Sequence, residues 1–386
     1  MTGKDMLRGI QNLDAALIEE AEFGAFHQGK AKTAGKKKLL LLLAAALAAG
    51  SMIAAAAYTR WPATMQFGSY DGAQPSEEIK KQAEQSGLSV IPSTVKNENA
   101  ETVTAADNGI TVTLAQTVMD QYGGKAVFRI EGLKLEEGQA PWAWWDFQID
   151  GKSNEQLHMS YGTQFFNGIT TDAEGNPIYV KNGKPVVDTQ EQGWLPDYQL
   201  GDGSVEFSVD FSWSESPFGK EMVFTFTGFG IQGEKFEDED IMTVPGKWEL
   251  RWTLEGTTEA PKKWTPNAKI GHWDVTLVEA EIGQYSMKLT YRIGDEYKDV
   301  NDFVEKEGWD PTPCSVRLKD GTDLKVHGAM GGAFWDSDPH VYTSIDTSLG
   351  TILDPSQIAG MSFFSGYELD EQGHRVHKPY YYIPFE

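Results

Sequence analysis

The chain of 386 residues contains a single cysteine, Cys314. That scarcity excludes an internal disulfide and any zinc site built on cysteines. Basic residues are also few, 33 Lys and Arg against 57 Asp and Glu, for a net charge of −24. Nucleic acid is recognised through a basic footprint, so nucleic-acid binding is excluded as well. The sequence reads as having no P-loop, no dinucleotide fingerprint and no Gly-x-Ser-x-Gly elbow. The 7 histidines are scattered. His374 and His377 fall beside Gly373 in a polar turn, where further ligands and a supporting shell are missing. The acidic run Glu237-Asp238-Glu239-Asp240 lacks the alternating ligands and glycine of a calcium loop. It reads as a solvated turn, as does Asp336-x-Asp338-x-His340. No catalytic residue, metal ligand or cofactor is therefore expected, and the chain does not read as an enzyme.

Long apolar runs are absent with one exception, twenty uncharged residues over 39–58. At ~1.5 Å per residue such a helix is about 30 Å long, the thickness of a bilayer's hydrocarbon core. Lys36, Lys37 and Lys38 abut its N-terminal side, with Lys30 and Lys32 just before them. Arg60 is the one basic group in the twenty residues that follow. By the positive-inside rule Lys36, Lys37 and Lys38 set the topology: a single-pass protein of the cell membrane, N-terminus cytoplasmic, C-terminal region extracellular. Residues 39–58 would contact membrane lipid. A cleaved signal peptide is the competing reading, since the alanines at 54–57 offer an A-x-A site, but its leading region would exceed thirty residues. Charge divides along the same line. Residues 1–58 carry 7 basic and 5 acidic groups, and the remainder carries 26 basic and 52 acidic groups, net −26. Such an exterior repels anionic wall polymers and headgroups unless cations bridge them.

Within the cytoplasmic segment 1–38, residues 2–23 read as an amphipathic helix. Thr2 can cap it, with Asp5 as the acidic half of a capping box. Met6, Ile10, Leu13 and Leu17 recur on one face, and Ile18 widens the stripe. A lone helix cannot bury such a stripe within itself. These five residues are the expected contacts with a groove on a partner protein. Glu19, Glu20 and Glu22 argue against the anionic membrane surface. The other reading is a tail that only helps to set topology.

Residues 59–107 read as a juxtamembrane helix and linker, the helix running over about 76–86 with Ser76 as N-cap and Gly87 as its stop, the linker over 94–107. Period-two patterns then dominate, six candidate strands over 109–254 and seven over 273–385. The two sets are related. Residues 112–130 and 275–293 align without gaps, and eight of nineteen positions are identical, among them Gln121/Gln284, Tyr122/Tyr285, Lys125/Lys288 and Arg129/Arg292. Val112, Leu114, Ala126, Phe128 and Ile130 share the inward parity with Val275, Leu277, Leu289, Tyr291 and Ile293, whereas Lys125, Arg129, Lys288 and Arg292 take the opposite face. The expected fold is mainly β: after the amphipathic and transmembrane helices come two tandem Ig-like antiparallel β-sandwiches, 108–256 and 268–386. The first is enlarged at 152–202, where Asn182-Gly183 signals an extra hairpin. Trp142 and Trp144 share one strand face, with Trp145 on the other. The pair is a candidate surface for a sugar ring or a peptide, an unknown envelope ligand; core packing explains it equally.

Taken in order, several segments resemble a known family. These are Leu13-Asp14-Ala15-Ala16-Leu17-Ile18-Glu19-Glu20-Ala21, the lysines and apolar run, and Tyr58-Thr59-Arg60-Trp61. They continue with a helix ending at Gly87-Leu88 and with Asn108-Gly109-Ile110-Thr111-Val112-Thr113-Leu114. Leu318-Lys319-Asp320-Gly321-Thr322 and Asp354-Pro355-Ser356-Gln357-Ile358-Ala359-Gly360-Met361 complete the set. The chain resembles membrane-bound, anti-sigma-factor-like proteins of Gram-positive bacteria that share an uncharacterised N-terminal domain with anti-sigma-V-type regulators. The resemblance implies a cytoplasmic segment that holds an extracytoplasmic-function sigma factor inactive, and an exterior that senses envelope conditions. It departs from the zinc-binding anti-sigma class, because only His27 and no cysteine precede residue 39. The alternative is a membrane-anchored binding or adhesion module without sigma-factor contact.

Overall fold

Apolar and polar residues alternate through most of the chain beyond Thr104, and the computed structural model turns that alternation into antiparallel sheets. The structure describes residue 62, residues 77–91 and, with short breaks, residues 102–385. Met6, Ile10, Leu13, Leu17, Ile18, Lys36, Lys37, Lys38 and the run 39–58 lie outside the described residues. Among the described residues no helix is long and apolar enough to cross a membrane.

Helix α1 (Glu77–Gln85) opens the described part and stops where expected. Gly87 takes φ +73°, the left-handed conformation that ends a helix without a Cβ penalty. The first β-domain then comprises β1 (Ser89–Val90), β2 (Thr104–Asp107), β3 (Ile110–Met119), β4 (Gly123–Glu131), β5 (Pro141–Ile149) and β6 (Lys152–Ser153). It continues through α2 (Asn154–Leu157), β7 (Ser160–Phe165), β8 (Ile169–Thr171), β9 (Pro177–Lys181) and β10 (Lys184–Val186), and ends with β11 (Val205–Ser212), β12 (Glu221–Ile231) and β13 (Ile241–Thr253). One sheet runs β1-β3-β4-β11-β7, with β2 also on β3, and the other runs β13-β12-β5-β6. Their inner faces share one core. Phe128 of the first sheet meets Phe224 and Phe226 of the second at ring separations of 4.6 and 5.3 Å. Each such ring contributes about 1.5–3 kcal/mol by leaving water.

The second β-domain holds β14 (Lys262–Trp264), β15 (Ala268–Lys269), β16 (Val275–Ile282), β17 (Met287–Ile293), α3 (Val300–Glu307) and β18 (Pro313–Leu318). Then follow β19 (Asp323–Lys325), β20 (Gly332–Trp335), β21 (Val341–Asp346), β22 (Ile358–Phe363), β23 (Tyr367–Leu369), β24 (Arg375–His377) and β25 (Tyr381–Pro384). Its sheets run β14-β16-β17-β21-β20, with β15 also on β16, and β25-β22-β18-β19. This is the strand order of the first domain, element for element. The repeat seen over nineteen residues therefore extends through both sheets. Even the irregularity is copied: β3 slips register against β4 between Leu114 and Gln116, and β16 against β17 between Leu277 and Glu279. Both domains belong to a single compact unit, Trp61–Glu386.

The expected parity is present, with Val112, Leu114, Ala126, Phe128, Ile130, Val275, Leu277, Leu289, Tyr291 and Ile293 all buried. Four features differ from the sequence reading. Thr104–Asp107, within the expected linker, is a strand, because Asn108 and Gly109 take φ +46° and +79° and close a two-residue hairpin with β3. Lys262–Trp264, between the two expected domains, pairs with β16. The enlargement of the first domain is a three-stranded sheet, β10-β9-β8, rather than a lone hairpin. Lys125, expected on a polar face, is 1% exposed.

Candidate functional site

Burial of Lys125 leads to the joint between the β-domains. The turn joining β3 to β4 carries Asp120, and the turn joining β16 to β17 is built on Gly283 and Ser286. Asp120 is 2% exposed. It accepts hydrogen bonds from the backbone N–H of Tyr122 and Gly123 in its own turn, at 3.2 and 3.3 Å. It also accepts from the N–H of Tyr285 and Ser286 in the other domain, at 2.8 and 2.9 Å, and from the Ser286 hydroxyl. Burial pushes this carboxyl up, while the hydrogen bonds from Ser286, Tyr285 and Tyr122 pull the other way. The net direction is upward.

The two equivalent tyrosines cross the joint in opposite senses. Tyr122 donates its hydroxyl to Glu281 Oε2 at 2.6 Å, and Lys288 Nζ stands 5.2 Å from its ring centroid. Tyr285 donates to Asp210 Oδ1 at 3.2 Å, and Asp210 pairs with Lys125 at 3.3 Å. Burial, with Asp210 second, lifts the Tyr285 hydroxyl well above its ordinary value. Burial raises Asp210 as well, against the opposing pull of Lys125. Tyr122 and Lys125 in one domain thus do what Tyr285 and Lys288 do in the other. Identity at these positions in the two copies was the one sequence signal that could have marked the joint.

Helix α1 closes this joint. Ile79, Ala83 and Leu88 pack with Val118 and Val127 of the first domain and with Tyr285 and Ile352 of the second. The Met119 N–H donates to Leu88 O at 2.9 Å, and the Met119 carbonyl accepts from the N–H of Thr257 in the interdomain connection at 3.1 Å. A cavity of about 390 Å³ opens beside α1, lined by Gln82, Gln85, Ser86, Glu259, Gln284 and Asp354.

The tryptophans lie elsewhere, on the outward face of the β13-β12-β5 sheet. Trp142 is 37% exposed and Trp144 half-buried, and both point away from the core. Trp145 faces inward, stacked on Phe224 at 5.4 Å. Trp142 stands opposite Gly230, which stands opposite Met242; Trp144 stands opposite Gly228, which stands opposite Pro245. The Met242 side chain lies over Gly228, where a Cβ would meet its Cε at 2.5 Å. Gly228-x-Gly230-x-x-Gly233 has the bare spacing of a dinucleotide loop, but its first two glycines lie within β12. The missing Cβ leaves room for the Met242 side chain at Gly228 and for the Ile241 carbonyl at Gly230. The same face continues into a cavity of about 290 Å³ lined by Asp146, Gln148, Thr225 and Glu249 among others.

Among the described residues no group of three or more His, Cys, Asp or Glu is placed to hold a metal ion. Asp338, one of the acidic candidates, pairs with Arg292 at 2.9 Å and accepts from the His340 N–H at 2.9 Å.

No protein-family model and no curated protein matches the sequence. Among solved structures, the crystal structure of the conserved domain protein from Bacillus anthracis is similar, with a TM-score of 0.38 and 12% identity over 74% of this chain and 88% of that one.

Proposed function

We propose that the chain is a single-pass membrane regulator of the anti-sigma type. The stripe of Met6, Ile10, Leu13, Leu17 and Ile18 holds an extracytoplasmic-function sigma factor in the cytoplasm, and the two β-domains report an envelope condition from outside, without catalysis. The observation that carries this reading is the position of α1. Eighteen residues of sequence separate Tyr58 from Glu77, and α1 packs on both β-domains at once. A cue that shifts either domain at the joint is felt by α1, the described helix nearest in sequence to the apolar run. The strand orders β3-β4-β11-β7 and β13-β12-β5 follow the four-plus-three arrangement of Ig constant-type domains. They support reading both domains as Ig-like modules.

The test is co-purification of the full chain with the sigma factors of its host, against a variant lacking residues 2–23. Retention of one sigma factor by the full chain alone supports the proposal, and retention of none overturns it. A membrane-impermeant label that reaches the N-terminal arm in whole cells and not the β-domains reverses the proposed topology. The second reading, a membrane-anchored binding module, is favoured by the open tryptophan face. It predicts that deleting residues 2–23 leaves the phenotype intact.

A further inference from the structure

We infer that the outward face of the β13-β12-β5 sheet is a binding site for an uncharged oligosaccharide, with Trp142 and Trp144 as the stacking surface. The inference names the class of cue for the exterior proposed above and rests on that reading only for the side of the membrane it faces. Sequence parity sets Trp142, Trp144, Asp146 and Gln148 in a line along β5, all outward. Opposite them on β12 are Gly230, Gly228, Thr225 and Val223. Farther across on β13 are Met242, Pro245, Glu249 and Arg251. One end of the face is therefore flat and apolar, floored by glycine and Met242, and the other is a shallow polar cavity of about 290 Å³.

Three observations select a neutral sugar over other occupants. Four of the five charges on the face are paired among themselves: Glu249 pairs with Lys247 at 2.9 Å and with Arg251 at 2.8 Å, and Arg251 pairs with Glu221 at 3.1 Å. Asp146 stands outside these pairs, so the face carries three acids against two bases, and its residual negative charge disfavours an anionic ligand. The chain beyond residue 58 carries net charge −26, which disfavours anionic polymers further. A peptide that adds as a strand would need the free edge of β13. That edge is obstructed midway by the β2–β3 turn: Asn108 Nδ2 donates to Pro245 O at 2.7 Å, and Lys247 N–H donates to Asp107 Oδ2 at 2.9 Å. What fits is a ligand that lies flat, offers C–H faces to indole rings and hydroxyls to carboxylates and amides. A pyranose chain has both.

The experiment uses the full chain in lipid nanodiscs, because glycosidic detergents would compete. The probes are chitotriose and cellotriose, with trigalacturonate as the anionic control, read by tryptophan fluorescence and saturation-transfer NMR. At least one neutral trimer is expected to bind about tenfold or more tighter than trigalacturonate. Trp142→Ala should weaken it about tenfold, with Trp142→Phe retaining part of the affinity. Trp142 is exposed, so the Ala variant should keep the wild-type unfolding midpoint, which separates lost binding from lost fold. The inference is overturned if neither neutral trimer binds up to about 10 mM, if the anionic trimer binds as well, or if Trp142→Ala keeps full affinity. Loss of sigma-factor binding would leave these outcomes untouched, and the reverse also holds.

Discussion

Asp120 and Gly283 occupy the same position in the two copies of the repeat, and in the folded chain they touch. A Cβ on Gly283 would lie 2.3 Å from Asp120 Oδ2. Two identical turns meeting in this way would bring two carboxylates together, at a high electrostatic cost in a buried site. The copies have diverged in complementary fashion. One supplies the acid and Gly123, the other supplies the space and Ser286.

Gly283→Ala is accordingly expected to part the domains while each sheet stays folded. The measurement is amide exchange, with protection lost at Tyr285 and Ser286 and kept at Phe128 and Leu289. The double exchange Asp120→Gly with Gly283→Asp moves the acid to the other copy. It should recover part of that protection, and no recovery would count against a reciprocal joint.

Lys125 and Asp210 form a buried pair, with side chains 2% and 7% exposed. Removing one partner strands the other charge, so Lys125→Met should cost about 3–5 kcal/mol in urea unfolding. Lys125→Met with Asp210→Leu should cost clearly less than Lys125→Met alone, since no lone charge stays buried.

Acid dependence at the joint follows from the same burial. Asp120 and Asp210 are raised above the ordinary 3.8. The folded chain then holds protons that the unfolded chain releases, so stability from these groups is fully present below pH 3.8 and falls as pH rises through the folded values. Surface carboxyls held low by partners, such as Asp323 beside Arg317, contribute in the opposite sense and lose their share as pH falls. Exchange at Ser286, corrected for intrinsic rate, should therefore quicken from acid toward neutral pH. Asp120→Asn, which does not titrate, should flatten that trend.

On the tryptophan face, two glycines should respond differently to alanine. At Gly228 a Cβ meets the Met242 side chain, which can swing aside, so Gly228→Ala should leave the melting temperature within a few degrees. At Gly230 it would meet the Ile241 carbonyl oxygen at 1.9 Å, where only backbone can give way. Gly230→Ala should lower the melting temperature markedly and unpair the start of β13.

Burial raises the Cys314 thiol to about 11, and its Sγ donates to Ser362 O at 3.1 Å. At pH 8 about one thiol in a thousand is then ionised. Alkylation by iodoacetamide should be slow at that pH and accelerate toward pH 11. Rapid labelling of the native chain at pH 8 would show Cys314 to be open.

Much of the fold was legible because strands announce themselves by parity. Val112, Leu114, Phe128 and Tyr291 face inward as their alternation requires. The strand at Thr104–Asp107 falls within the expected linker, although Asn108-Gly109 carries the two-residue hairpin signal that closes it on β3. The joint was not legible. Lys125 and Asp210 are 85 positions apart in sequence, and nothing local says that a lysine on the polar parity will be sealed from water by a second domain. Met242 escaped notice for a similar reason, since its partners Gly228 and Trp144 are on other strands.

By itself the sequence determined the duplication, the inward parity of its repeated strands, and that Trp142 and Trp144 share one strand face. These follow from the period of two and from identity between copies, which are local properties of the chain. Tertiary structure alone decided that the duplicated turns meet, that α1 seals them, and that Lys247, Glu249, Arg251 and Glu221 pair beside Asp146. Those outcomes depend on which distant surfaces exclude water from one another, and no stretch of residues carries that information alone.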